Sequence, residues 1–199
     1  MLHKGNQMRT IAELLNKHRG DEAWIFGKGP SLDRFDFRSA GTLRICINES
    51  LLHVPDPTYF FAHDETPIQN VSGKWPAKCF AILQPVRGQW AQKCGIPAEA
   101  IYTYEKRDRE LDILNWSPEQ IARKASLLGL TGTVHSALHF CRLIGTFSIV
   151  FVGMDGGLGH ARCTGQATPL GGGQHDLIRR DSINVAGRLG LQFRFEQGV

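Results

Sequence analysis

Phe147 to Val152 (FSIVFV) runs apolar with one serine among six residues and ends on Gly153. A strand with so little alternation must be covered on both faces. Sheets buried on both faces are parallel and joined by helical crossovers, so this segment narrows the fold to an α/β layered architecture. Other segments agree. Ala23–Phe26 (AWIF), Thr42–Ile47 (TLRICI) and Thr58–Ala62 (TYFFA) read as strands, as do the weaker Lys78–Leu83 and Ala100–Tyr104 and a final Leu191–Phe195. Helices fall between them. Ser117-Pro118-Glu119-Gln120 offers a capping serine, a proline at the first helical position and a glutamine where a capping box needs it. Thr131–Ile144 leads straight into the Phe147 strand, and a helix over about 176–189 precedes the last strand. Residues 9–19 set Ile11, Leu14, Leu15 and His18 on one helical face. The expected architecture is one α/β domain over 21–199, Rossmann-like, with a mainly parallel sheet and helices on both faces; an N-terminal helix within 1–20 is appended to it. The alternating charges of 105–112 (EKRDRELD) read as a solvated loop or a helix end.

A chain of 199 residues buries about two thirds of its unfolded surface as one domain and needs no metal or disulfide to stay folded. Its composition, 42% hydrophobic and 21% charged, excludes disorder, collagen and coiled coil as overall descriptions. No apolar run approaches the roughly 18 residues of a membrane span, and residues 1–7 lack a signal peptide's apolar core. The five cysteines form no CxxC pair, so a reducing cytoplasm is the expected setting. A net charge of +4 permits a nucleic-acid partner without requiring one.

In an open parallel sheet, ligands bind beyond the carboxyl ends of the strands. The first strand is followed by Gly27-Lys28-Gly29-Pro30-Ser31, the second by Asn48 and Glu49, the third by His63, Asp64 and Glu65, and the Phe147 strand by Gly153, Met154 and Asp155. Small, polar and ionisable residues thus recur at one end of successive strands, which points to one pocket. In the GKGPS turn the glycines let backbone N–H groups approach an anion, Lys28 adds charge, and Ser31 can cap the next helical turn. The turn is neither a Walker A loop nor GxGxxG, and a plain tight turn explains it as well. Thr131-Gly132 opens a helix, where free N–H groups and partial positive charge favour an anion. Asp64 and Asp155 are candidates to hold Mg²⁺ through a ligand's phosphates. His160 is the first candidate for a general base and His175 the second. Residues 156–173 hold seven glycines between a strand and a helix and read as a Gly-rich lid.

The succession G-x-G-P-S-L, Asn after strand two, an acid after strand three, T-G at a helix start and then strand–G-x-D with a downstream His resembles a known superfamily. It joins the archaeal 6-hydroxymethylpterin pyrophosphokinase (MptE-like) proteins, the glycosyltransferase family 42 sialyltransferases and small phage and prophage proteins. The likeness runs from about Trp24 to His160. It implies that Gly27, Gly29, Pro30 and Ser31 form a phosphate and ribose turn, and that Asn48 contacts the nucleotide. Thr131 and Gly132 would contact its base or ribose, Asp155 would be the acid of the pocket, and His160 a base. The chain departs from the sialyltransferases at Lys28, where they carry Asn, and in having no tyrosine near Asp155. The function implied is a nucleotide-dependent transferase, first a glycosyltransferase using a CMP-, UDP- or similar nucleotide-sugar donor. An ATP- and Mg-dependent pyrophosphokinase acting on a small hydroxymethyl compound is the alternative, and a non-catalytic phage-type binding or assembly protein the third. The partner implied is a small-molecule nucleotide donor; the acceptor, a nucleic acid included, and a homo-oligomer stay open.

Overall fold

The computed structural model describes residues 8–156, 160–161 and 174–196. Its strands are β1 (Arg9–Thr10), β2 (Glu22–Phe26), β3 (Leu43–Ile47), β4 (Tyr59–Phe61), β5 (Phe80–Leu83), β6 (Ile101–Thr103), β7 (Glu105–Asp108), β8 (Ser126–Gly129), β9 (Ser148–Val152) and β10 (Gln192–Glu196). Its helices are α1 (Glu65–Ser72), α2 (Pro85–Lys93), α3 (Pro118–Lys124), α4 (Thr133–Ile144) and α5 (Gln174–Arg188). Eight strands form one sheet in the order β1-β6-β5-β4-β3-β2-β9-β10, and every pair in it is parallel. The fold is α/β and Rossmann-like.

Period-two alternation sends neighbouring side chains of each strand to opposite faces. Ile25, Ile45, Phe61 and Phe151 join one core with α4 and α5 residues, while Phe26, Cys46, Phe60 and Val152 join the other with α1 residues. Because both faces are covered, β9 is apolar at nearly every position. The Ser117–Gln120 capping box forms as the sequence predicts, Ser117 accepting from the Gln120 N–H. From β2 the chain crosses to β3, β4, β5 and β6 on one side, whereas β9 and β10 lie on the other. The order therefore reverses between β2 and β9, where such sheets open a crevice.

Three expectations are corrected. Residues 9–19 are not an α-helix. Arg9–Thr10 pairs with β6 at the sheet edge, a short 3₁₀ turn spans Ile11–Leu14, and then the chain turns through Asn16 at φ 55°. The Asn16 and His18 N–H groups bond to the Leu143 and Ile144 carbonyls at the end of α4. These tertiary bonds, with Ile11 and Leu14 buried in the core, outcompete local helix formation, and the segment is no appendage. Secondly, 105–108 is a strand paired with β8. Its charges alternate so that Glu105–Arg107 and Lys106–Asp108 form ion pairs two residues apart, the spacing of one strand face. Thirdly, α1 and α2 were not anticipated. Of the expected lid over 156–173, only Gly156, His160 and Ala161 are described; the rest, Cys163 included, lies outside the described residues.

Candidate functional site

At the reversal point the ends of β2 and β9 interlock. The Gly27 N–H bonds to the Val152 carbonyl and the Gly29 N–H to the Gly153 carbonyl, both at 2.7 Å. Gly153 adopts φ +69°, and its N–H donates to Ser31 Oγ at 3.0 Å. The Ser31 N–H in turn donates to Asp155 Oδ2 at 2.8 Å. A Cβ on Gly27 or Gly29 would run into the Gly153 carbonyl. The glycines are therefore required for one turn to pass against the other.

This changes the roles expected of the motif. The Gly27, Gly29 and Ser31 N–H groups are already engaged, and Pro30 has none, so the turn does not offer a row of amides to an anion. Ser31 is 2% exposed and braces Gly153. The N-cap of the 3₁₀ turn Pro30–Arg34 is Gly29 instead. Asp155 clasps Ser31. Lys28 Nζ lies 2.8 Å from Glu49 Oε2, and Glu49, 1% exposed, also accepts from Asn70 Nδ2. The charge expected to meet a phosphate is matched inside the protein.

These turns floor a cleft of about 900 Å³. Gly27, Lys28, Gly29, Asn48, Asp64, Thr131, Gly132, Asp155, His160 and His175 all line it; of the expected residues, the buried Ser31 and the exposed Pro30 do not. Asn48 follows β3 at φ 55°, a left-handed conformation that asparagine tolerates better than most residues. Its Oδ1 is buried with no hydrogen-bond partner among the described residues. An acceptor left so costs about 1–3 kcal/mol.

Opposite stands the start of α4. Its N-cap, Gly132, has no side chain to offer, Thr133 and Val134 line the cleft, and the first N–H groups of a helix lack intrahelical acceptors. The Thr131 hydroxyl is turned to Asp181 Oδ2 of α5, 3.3 Å away, and Gly132 packs against Ile178. His135 and His139 are packing residues, both fully buried. The His139 Nδ1 takes the Leu128 N–H, and burial pushes its pKa down to about 4.

The two candidate bases are neighbours, with the His160 and His175 rings 5.0 Å apart and tilted edge to face. Burial, then the charges of Lys28 and His175, holds His160 below the ordinary histidine pKa. His63, after β4, is a third ring in the lining. Ser136 Oγ donates to the Leu128 carbonyl at 2.7 Å, so it accepts from His63 Nε2 at 3.0 Å. The proton is thereby on Nε2, leaving Nδ1 a lone pair. Burial, then Lys106, pushes the His63 pKa down to about 4, and the ring is neutral.

Asp64 is the exposed N-cap of α1 and makes no capping bond with its side chain. Among the described residues no three His, Cys, Asp or Glu stand close enough to hold a metal ion. No helix among the described residues is long and apolar enough to cross a membrane.

Scanned against known protein families the chain matches none, and no curated protein matches it.

Lys106 and Arg179 are among the lining residues missed at the sequence level. Arg179 projects from α5 into the cleft lining. Its spacing of four from His175 puts both on one helix face, a signal the sequence did contain.

Proposed function

We propose that the cleft binds a nucleotide and that the protein is a nucleotide-dependent transferase, with glycosyl transfer from a nucleotide-activated sugar as its reaction. The buried, unpartnered Oδ1 of Asn48 carries this reading. Asn48 lines the cleft at the switch point of a parallel sheet, and its unsatisfied acceptor is one that a ligand N–H or O–H would complete once the side chain turns to meet it. The cleft volume, about 900 Å³, suits a ligand of nucleotide-sugar size. Thr133 and Val134 at the start of α4 would receive phosphate oxygens.

His160, neutral at pH 7, would accept the proton of an acceptor hydroxyl on its ring nitrogen. As that oxygen bonds to the sugar's anomeric carbon, the bond from this carbon to the phosphate oxygen breaks, and its electron pair leaves on the phosphate. His175 beside it disfavours a charged His160 in the resting site and so keeps it ready to take the proton.

The test is calorimetry and thermal shift with CMP, CDP, UDP, GDP and ATP, each with and without Mg²⁺, on the wild type and on Asn48→Gly, which keeps the left-handed backbone. At least one nucleotide should bind the wild type, and the variant should bind it about tenfold or more weakly while melting no more than about 2 °C below the wild type, because the unsatisfied acceptor leaves with the side chain. Binding of ATP with Mg²⁺ alone would favour the pyrophosphokinase. If no nucleotide binds, the reading fails.

A further inference from the structure

Among the described residues three Lys or Arg side chains line the cleft: Lys28, Lys106 and Arg179. The first two face acids, Lys28 facing Glu49 and Lys106 facing Asp108, at 2.8 and 2.9 Å. Arg179 forms no ion pair or hydrogen bond with any described residue, and its Nε is buried without a partner. The guanidinium is nevertheless held in place. It lies over the Phe195 ring, 4.5 Å from the centroid, and Phe195 stacks in turn on Phe151 of β9 at 5.0 Å and 22°. Phe151 is fully buried, so the stack is rooted in the core. A Cβ on Gly156, at φ +76°, would run into the Asp176 carboxylate and touch the Arg179 side chain, so this turn lies close to α5.

An arginine whose plane is fixed by an aromatic face keeps its N–H edge available and loses little freedom on binding. Carboxylate and phosphate oxygens are the groups that match that edge in pairs. The starts of α4 and α5 supply four more lining residues, Thr133, Val134, Gln174 and His175, and add partial positive charge on the same wall. Lys28 and Lys106 already face acids, so an incoming dianion finds its uncompensated counter-charge on α5.

We infer that Arg179 is the residue that binds the phosphate group of the cleft's ligand, in the role the sequence assigned to Lys28. This rests on the nucleotide reading but extends to any phosphate the cleft takes up.

The experiment is calorimetry on the full chain with pyrophosphate, with the tightest nucleotide from the panel and with its nucleoside. The proteins compared are the wild type, Arg179→Gln, Arg179→Lys and Asn48→Gly. Arg179→Gln should weaken pyrophosphate and nucleotide about tenfold or more, leave the nucleoside within about twofold, and flatten the salt dependence of nucleotide binding. Arg179→Lys should recover part of the loss, since charge returns without the planar edge. Thermal melts show that the variants fold. If Arg179→Gln binds pyrophosphate and nucleotide like the wild type, or loses nucleoside as much as nucleotide, the inference is overturned. Loss of nucleotide binding in Asn48→Gly in that same experiment would leave the nucleotide reading standing. Pyrophosphate binding that depends on Arg179, with no nucleotide bound, would uphold the inference and sink the nucleotide reading. Should the wild type bind neither, both fall.

Discussion

The two walls of the cleft differ in what their polar groups do. On the β2–β9 wall nearly every group that looks chemical is engaged with another: Ser31 with Gly153, Asp155 with Ser31, Lys28 with Glu49. On the α4–α5 wall the N-cap Gly132 gives the first turn of α4 no side chain, although its own N–H is taken by His135 Nδ1, and Arg179 pairs with no acid among the described residues. A motif rich in glycine, serine and charge can thus be a device for joining two strands, while the groups open to a ligand sit in plainer sequence. Substitutions on the first wall should lower stability, and those on the second should lower binding with the fold intact.

The strongest attempt to break that contrast is Lys28→Met. Removing one partner of a buried pair costs about 3 kcal/mol at the lower end of such cases, or a melting point lowered by roughly 6–12 °C. Lys28→Met with Glu49→Gln should regain much of it, because the buried carboxylate charge goes too. A Lys28→Met protein that melts like the wild type would put Lys28 back among the open groups. Gly29→Ala comes next. Its Cβ would lie 2.7 Å from the Gly153 carbonyl oxygen and closer still to the Asp155 carboxylate, and such overpacking costs about 2 kcal/mol. Urea unfolding measures it, and an unchanged midpoint would show that the interlock yields.

The smallest effect is acid sensitivity. His63 and His139 are neutral in the fold with pKa values of about 4, whereas in the unfolded chain they take protons near pH 6.5. The unfolded state therefore binds more protons as the pH falls, and stability declines from about pH 6.5 down to about pH 4. Between pH 7 and pH 6 each ring should remove roughly 0.7 kcal/mol, seen as a lower urea midpoint. Stability that is flat or rises over that interval would contradict the buried, uncharged state of both rings.

The sheet was legible because its strands carry their burial in their composition. Residues 23–26, 45–47 and 149–152 are buried on both faces and so admit one placement. The position of the cleft followed from topology, since polar residues after β2, β3, β4 and β9 gather at one end of a parallel sheet. The roles of those residues did not follow. Whether Lys28 meets a ligand or Glu49, and whether Asp155 holds a metal or an N–H of Ser31, depends on contacts between segments 21 and 124 positions apart. The N-terminal turn escaped for the same reason, its backbone partners being the carbonyls at the end of α4. Arg179 was one arginine among several polar residues of α5; its spacing of four from His175 was readable, but the Phe195 ring beneath it was not.

The neutral Lys28–Glu49 couple has a consequence for how a guest lies. With the glycine turn carrying no spare charge, nothing there draws the anionic end of a molecule toward β2. On the proposed reading, a nucleotide would settle with its uncharged moiety above the sheet and its phosphate tail directed at α5, head-to-tail reversed from the orientation that the GKGPS motif advertises.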